Sequence, residues 1–308
     1  MIFGTLSHPS RRLMTVLILC GFLMAAGCGQ QVSKVTEKPM NGQVVILTSF
    51  YPVYIMTKNI AGNIQGVQVK NLTSPYNGCL HDYQLTTGDM KKLQNADYLV
   101  ISGGGTESFL DKVTAQRRDL KIIDAGLGIP KIKGPDGEEN PHLWVSTGLA
   151  MKQVENISEQ LAQADPAHAA QYRNNGQQYI SELSSLSSKM HAGLAPLKGQ
   201  RIVTFHEAFP YFAQEFGLVI AGVIERDPGS EPSAGELANI IKMIKKLKVR
   251  AIFAEPQYPA GSAQVIARET GVKVYYLDPA VNGPDRNDAY INIMTSNLKV
   301  LEEALGEK

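Results

Sequence analysis

From Val44 onward, short β-branched runs alternate with stretches of helical period. Val44–Thr48, Val67–Leu72, Tyr98–Ser102 and Lys121–Asp124 read as buried strands. Pro52–Ile60 between them reads as a helix, as does a short segment capped by Thr86 and Thr87 and running through Leu93. Another helix is expected from about Glu107, and a longer one over Thr147–Ala164. The alternation restarts later. Strands Arg201–Phe205, Val219–Ile224, Ala251–Ala254 and Val272–Leu277 interleave with helices Phe209–Phe216, Ala234–Leu247, Ser262–Thr270 and Ala289–Ala304. Regular strand–helix alternation predicts parallel sheets covered on both faces. The expected fold class is α/β, with two lobes, each a roughly four-stranded parallel sheet flanked by helices.

The stretch between the halves, Asp165–Pro196, reads as one long spine helix joining the lobes. Asp165 is placed as its N-cap and Pro166 at the first helical position, where a missing N–H costs nothing. Leu183, Leu186, Met190 and Leu194 recur at helical spacing, and Pro196 ends the run. Such a helix would span about 40 Å, enough to run along two lobes. Its weak point is Gly176, which costs about 1 kcal/mol against alanine in a helix interior.

The N-terminus reads as an export signal outside the fold. Arg11 and Arg12 precede the apolar run Leu13–Met24, too short for an ordinary membrane span, and Ala25-Ala26-Gly27 lead into Cys28. That arrangement resembles a bacterial lipobox, in which the cysteine is cleaved on its N-side and lipidated. Gln30–Gly42 is polar and aperiodic, a flexible tether. The expected organisation is signal 1–27, lipidated tether 28–42, first lobe 43–164, linking helix 165–196 and second lobe 197–308. With Cys20 in the signal and Cys28 lipidated, Cys79 stands alone, so no internal disulfide is expected in the mature chain.

The 308 residues carry 30 basic and 29 acidic side chains. That near-balance argues against nucleic acid, which needs a basic surplus to hold phosphate. The basic run Lys242–Lys248 lies on a helix and reads as a solvated face.

Open α/β sheets bind ligands at the carboxyl ends of their strands. His81 falls after the second expected strand, and His142 lies in an irregular segment after the fourth. His206 directly follows strand Arg201–Phe205, and Asp278 directly follows Val272–Leu277. They stand about sixty to seventy residues apart, unlike any compact zinc finger. Three imidazoles and one carboxylate nevertheless form a four-coordinate set that suits Zn²⁺, with Mn²⁺ the alternative.

Several motifs in order then identify a resemblance. They are His81-Asp82-Tyr83 with Leu93-Gln94-Asn95-Ala96-Asp97, Asn140-Pro141-His142-Leu143-Trp144, His206-Glu207-Ala208-Phe209 with Tyr211-Phe212, Glu231-Pro232-Ser233, and Leu277-Asp278-Pro279. The chain resembles the metal-binding lipoproteins of bacterial ABC importers, the cluster A-I or ZnuA/TroA-like zinc and manganese receptors, over nearly all of its mature length. The resemblance implies that His81, His142, His206 and Asp278 ligate a metal held between two lobes joined by one helix. It implies capture of a divalent ion outside the cytoplasm, an ABC permease and its ATPase as partners, a lipid anchor in the membrane, and a monomer. The family pattern usually continues the first motif with Glu-Pro, where this chain has Gln84-Leu85. Lys131–Glu139 is short and lacks the histidines of the metal-collecting loop that many zinc receptors carry. Cys79, two residues before His81, reads as a small packed loop residue, with a thiolate ligand as the alternative.

Two other functions fit parts of this pattern. A metallohydrolase needs an open coordination position and a general base. Glu207 could supply the base, but three histidines and an aspartate fill a tetrahedral shell. A surface adhesin with an incidental metal site is the other.

Overall fold

The computed structural model describes residues 42–73, 78, 80, 83–134, 137–225 and 232–306. Cys28, Cys79, His81 and Glu231 lie outside the described residues, as do the signal and the tether up to residue 41.

The first half forms strands β1 (Val44–Thr48), β2 (Val67–Asn71), β3 (Tyr98–Ile101) and β4 (Lys121–Asp124) with helices α1 (Tyr51–Ala61), α2 (Thr87–Gln94), α3 (Asp111–Gln116) and α4 (Thr147–Ala164). After α5 (Ala169–Leu194), the second half forms β5 (Arg201–Thr204), α6 (Pro210–Phe216), β6 (Val219–Val223), α7 (Ala234–Leu247), β7 (Ala251–Ala254), α8 (Gly261–Thr270), β8 (Lys273–Tyr276) and α9 (Ala289–Leu305). The strands make two four-stranded sheets with matching orders, β2-β1-β3-β4 and β6-β5-β7-β8. Every pairing is parallel. The expected α/β class and sheet size are thus observed.

Burial follows from position in the sheet. Central β7 is buried at all four residues, whereas edge strand β2 alternates buried and exposed. One apolar cluster includes Ile46 and Val100 of the first sheet, Ile202 and Phe253 of the second, and Ile55, Val154, Leu183 and Leu298 of α1, α4, α5 and α9. The opposite face of the first sheet packs Leu47 and Leu99 against Leu93 of α2. That of the second packs Val203 and Ile252 against Ile244 of α7 and Ile266 of α8. Alternation along a strand sends neighbours such as Ile46 and Leu47 to opposite cores.

The long middle helix is present but starts later than expected. Asp165 closes α4, its N–H bonding Leu161 O, and Pro166 lies in the turn before α5. The Asp165 carboxylate accepts from Tyr172 Oη at 2.9 Å and meets His168 Nδ1 at 2.7 Å. Its backbone is committed to the preceding helix, so it caps nothing in α5, whose N-cap residue is His168. Pro196 sits in a single 3₁₀ turn, Ala195–Leu197, beyond the end of α5.

Gly176 does not break the helix. A Cβ there would lie 2.7 Å from Ser158 Cβ of α4, and one at Gly193 would lie 2.8 Å from Leu298 Cδ1 of α9. The helical cost of Gly176 is offset by a close α4–α5 crossing that a Cβ would press apart, whereas a Cβ at Gly193 would displace the side-chain ends of Leu298 and Glu302. The helix expected from Glu107 is also different: a 3₁₀ turn, Ser108–Leu110, runs into α3 while Glu107 itself turns inward. Lys242, Lys245 and Lys246 of α7 are exposed, as expected of a solvated face.

Candidate metal centre

In each sheet the chain order reverses between the two central strands, and such switch points open a crevice at the carboxyl ends. Ser49 and Ser102 directly follow β1 and β3 at the first switch point. His206 and Glu255 lie just beyond β5 and β7 at the second. Each crevice holds a buried carboxylate. Glu107 accepts from Ser49 Oγ at 2.7 Å, Ser102 N at 2.7 Å and Gly103 N at 3.2 Å. Burial nevertheless dominates these three bonds and pushes its pKa from 4.5 up to about 7.

Glu255 is fully buried, and its Oε1 accepts from His206 Nδ1 in a short contact. Its Oε2 accepts from Gln257 Nε2 at 2.7 Å. A carboxylate on Nδ1 fixes the proton there and leaves the lone pair of His206 on Nε2.

His142 reaches the same state by another route. Asn140 Oδ1 accepts from His142 N at 3.1 Å and stands 3.1 Å from His142 Nδ1. The orientation of the Asn140 amide is set by its other end, Nδ2, which donates to Glu207 O at 2.7 Å. An amide oxygen only accepts, so His142 carries its proton on Nδ1 and its lone pair on Nε2.

The two Nε2 atoms face each other 3.3 Å apart, in rings that are 2% and 1% exposed. Two unprotonated nitrogens at that distance repel unless a cation or proton lies between them. Two imidazoles on one tetrahedral zinc, each at 2.0–2.1 Å, would have their nitrogens about 3.3–3.4 Å apart. The pair therefore has the spacing and the protonation pattern that a tetrahedral cation requires.

Asp278 lies in the neighbouring loop after β8. Asn297 of α9 grips its backbone from both sides, accepting from Asp278 N at 2.9 Å and donating to Asp278 O at 2.7 Å. The carboxylate accepts from Ala280 N at 2.7 Å. Its pKa is raised, chiefly by desolvation and further by the charge of Glu255, while the Ala280 bond opposes the shift. Trp144 joins this loop to that of His142: its Nε1 donates to Pro279 O at 2.7 Å, and its ring lies 5.2 Å from the His142 ring.

The structure thus pairs His142 with His206 and holds Asp278 in the adjoining loop, while His81 is outside the described residues. Among the described residues, no three His, Cys, Asp or Glu side chains are grouped to hold a metal ion. Glu255 was not picked out from the sequence. It follows β7 at a strand end as His206 follows β5, and that placement was the available signal. Asn140 stood in the sequence only as the first residue of the motif around His142, and the clamping role of Asn297 leaves no mark in the pattern.

The profile of a family described as zinc-uptake complex component A, periplasmic (ZnuA), matches residues 46–304. The chain belongs to the ZnuA family. It is similar to the zinc-binding lipoprotein AdcA of Streptococcus pneumoniae, 30% identical over 94% of this chain and 60% of the length of AdcA. The high-affinity zinc uptake system protein ZnuA of Bacillus subtilis is 29% identical, over 94% of this chain and 96% of that protein. The chain therefore spans about 60% of AdcA but nearly all of the Bacillus relative. Among solved structures, the Pseudomonas aeruginosa solute-binding protein FpvC, crystallised with Ni²⁺, superposes with a TM-score of 0.78 at 29% identity. That match covers 86% of this chain and 99% of FpvC.

Proposed function

We propose that this chain is the extracytoplasmic receptor of an ABC importer, capturing a divalent metal, Zn²⁺ first and Mn²⁺ second, and delivering it to the permease. The observation that carries the reading is the His142–His206 pair, with both Nδ1 atoms held by acceptors and both Nε2 atoms 3.3 Å apart. His81 and Asp278 complete a three-nitrogen, one-oxygen shell. Nitrogen-rich shells favour zinc over manganese, whose preference is for oxygen. The names of the streptococcal and Bacillus relatives, both zinc proteins, support the same order.

Zinc is the cargo, and the role is binding rather than catalysis. A shell filled by four protein groups leaves no position for an activated water. The two sheets act as lobes, 43–164 and 197–308, on either side of the middle helix. Cys28 carries the lipid that anchors a monomer to the membrane, in keeping with the lipoprotein naming of AdcA.

The test is elemental analysis of protein purified without a histidine tag, followed by competition against a chelator. About one zinc per chain, retained in wild type and weakened in His142→Ala and His206→Ala, is expected. Unchanged affinity in both variants would remove the pair from the site.

A further inference from the structure

The segment that carries His142 and the helix that follows His206 are fastened together at three successive points. Asn140 Nδ2 donates to Glu207 O at 2.7 Å. One helical turn on, Tyr211 Oη donates to Asn140 O at 2.8 Å and accepts from Ile132 N at 2.9 Å. One further turn on, the Glu215 carboxylate accepts from Ser146 Oγ at 2.6 Å, from Thr147 Oγ1 and from Gly148 N at 3.1 Å. Ser146 is the N-cap of the 18-residue helix α4. Glu215 therefore sets a negative charge, 12% exposed, on the positive end of that helix.

Residues of the first half thus run alongside residues of the second, with His142 and His206 at one end of the fastening and Glu215 at the other. The two Nε2 atoms stand 3.3 Å apart, so the separation of the imidazoles is set by how firmly these two segments are held together.

We propose that Glu215 is a positioning residue that locks the His142 segment to the helix after His206, so the two imidazoles stand as a preassembled pair before the metal arrives. The inference rests on the metal-binding reading above. Asn140 and Tyr211 touch the backbone beside the histidines, whereas Glu215 lies nine residues along the chain from His206, and its partner Ser146 lies four from His142. Its effect on the metal must therefore pass through the frame. A preassembled pair avoids the ordering cost at binding, and losing it shows mainly in the release rate.

The experiment uses the mature chain as Glu215→Gln and Thr147→Val, with Glu155→Gln as a control at the exposed Lys152–Glu155 pair of α4. The glutamine keeps the shape but turns a donor toward hydroxyls and an N–H. Thr147→Val removes one donor at nearly constant volume. Zinc affinity and release are measured by chelator competition, ligand identity from the Co²⁺ ligand-field spectrum, and folding from far-UV circular dichroism.

Glu215→Gln should weaken zinc about 10-fold, at the low end of what outer partners of metal ligands cost, chiefly through faster release. Thr147→Val should move the same way by less, with the Co²⁺ bands kept and Glu155→Gln at wild-type affinity. Wild-type affinity and release in folded Glu215→Gln and Thr147→Val would overturn the proposal. If Glu215→Gln does not fold, Thr147→Val decides by the same criterion. If wild type binds neither zinc nor cobalt, the metal-binding reading fails by itself. The pair is then read in metal-free protein from the His142 and His206 imidazole ¹⁵N resonances: broadening or doubling in Thr147→Val supports the lock, and unchanged resonances overturn it.

Discussion

Glu107 makes the stability of this protein depend on pH in a direction opposite to that of an ordinary ion-paired carboxylate. Its carboxyl is fully buried at the first switch point, and its pKa rises from 4.5 in the unfolded chain to about 7. Below pH 4.5 both states hold the proton, and the contribution to stability is complete. Between 4.5 and about 7 the unfolded chain releases a proton that the folded protein keeps, so stability falls as pH rises. Above about 7 the loss levels off.

At about 1.36 kcal/mol for each tenfold change in proton affinity, the rise from 4.5 to about 7 amounts to a loss of about 3 kcal/mol across that window. In Glu107→Gln the group no longer titrates, although the amide sets a donor against Ser49, Ser102 or Gly103 and costs about 1–3 kcal/mol at every pH. Other titrating groups act equally in both proteins and cancel in the difference. Urea unfolding of both, with chelator present, at pH 4.5, 5.5, 6.5 and 8 isolates the residue. The stability of wild type minus that of the variant should fall by about 3 kcal/mol from the lowest pH to the highest. Parallel curves, constant to within about 0.5 kcal/mol, would refute the burial argument.

Other outcomes follow from the same geometry. Gly176→Ala should destabilise the fold by about 1–3 kcal/mol despite alanine's better helix propensity, because its Cβ meets Ser158 at 2.7 Å; denaturant unfolding measures it, and Ser158→Gly should recover part of the loss. Glu255→Gln should weaken zinc about 10–100-fold in a chelator competition, since the proton on His206 Nδ1 is then no longer held by a carboxylate. Unchanged affinity there would detach Glu255 from the site. Cys28→Ala should move the protein from the membrane fraction to the soluble fraction, and retention on membranes without detergent would argue against the lipid anchor.

The α/β class and the two sheets were legible because periodicity is a local property: a β-branched run bounded by turns states its own burial. Thr147–Ala164 began where expected because Ser146 is a real N-cap. Asp165 misled because an aspartate before proline looks the same at the end of one helix as at the start of another. Its allegiance is decided by where its N–H goes and by Tyr172, seven residues later. Gly176 read as a flaw until α4 came close enough to need it.

The candidate site divides in the same way. His142, His206 and Asp278 could be singled out because parallel strands deliver their carboxyl ends to one edge, so position along the chain already implies a crevice. That two of them meet at 3.3 Å, with Nε2 facing Nε2, depends on Asn140 and Glu255 fixing both tautomers. Those contacts join residues 2 and 49 positions apart. The sequence alone determined the elements, their order and the edge where chemistry could gather. Only the tertiary structure decided which side chains face one another there, because distance and proton placement are set by packing between elements that the chain separates by scores of residues.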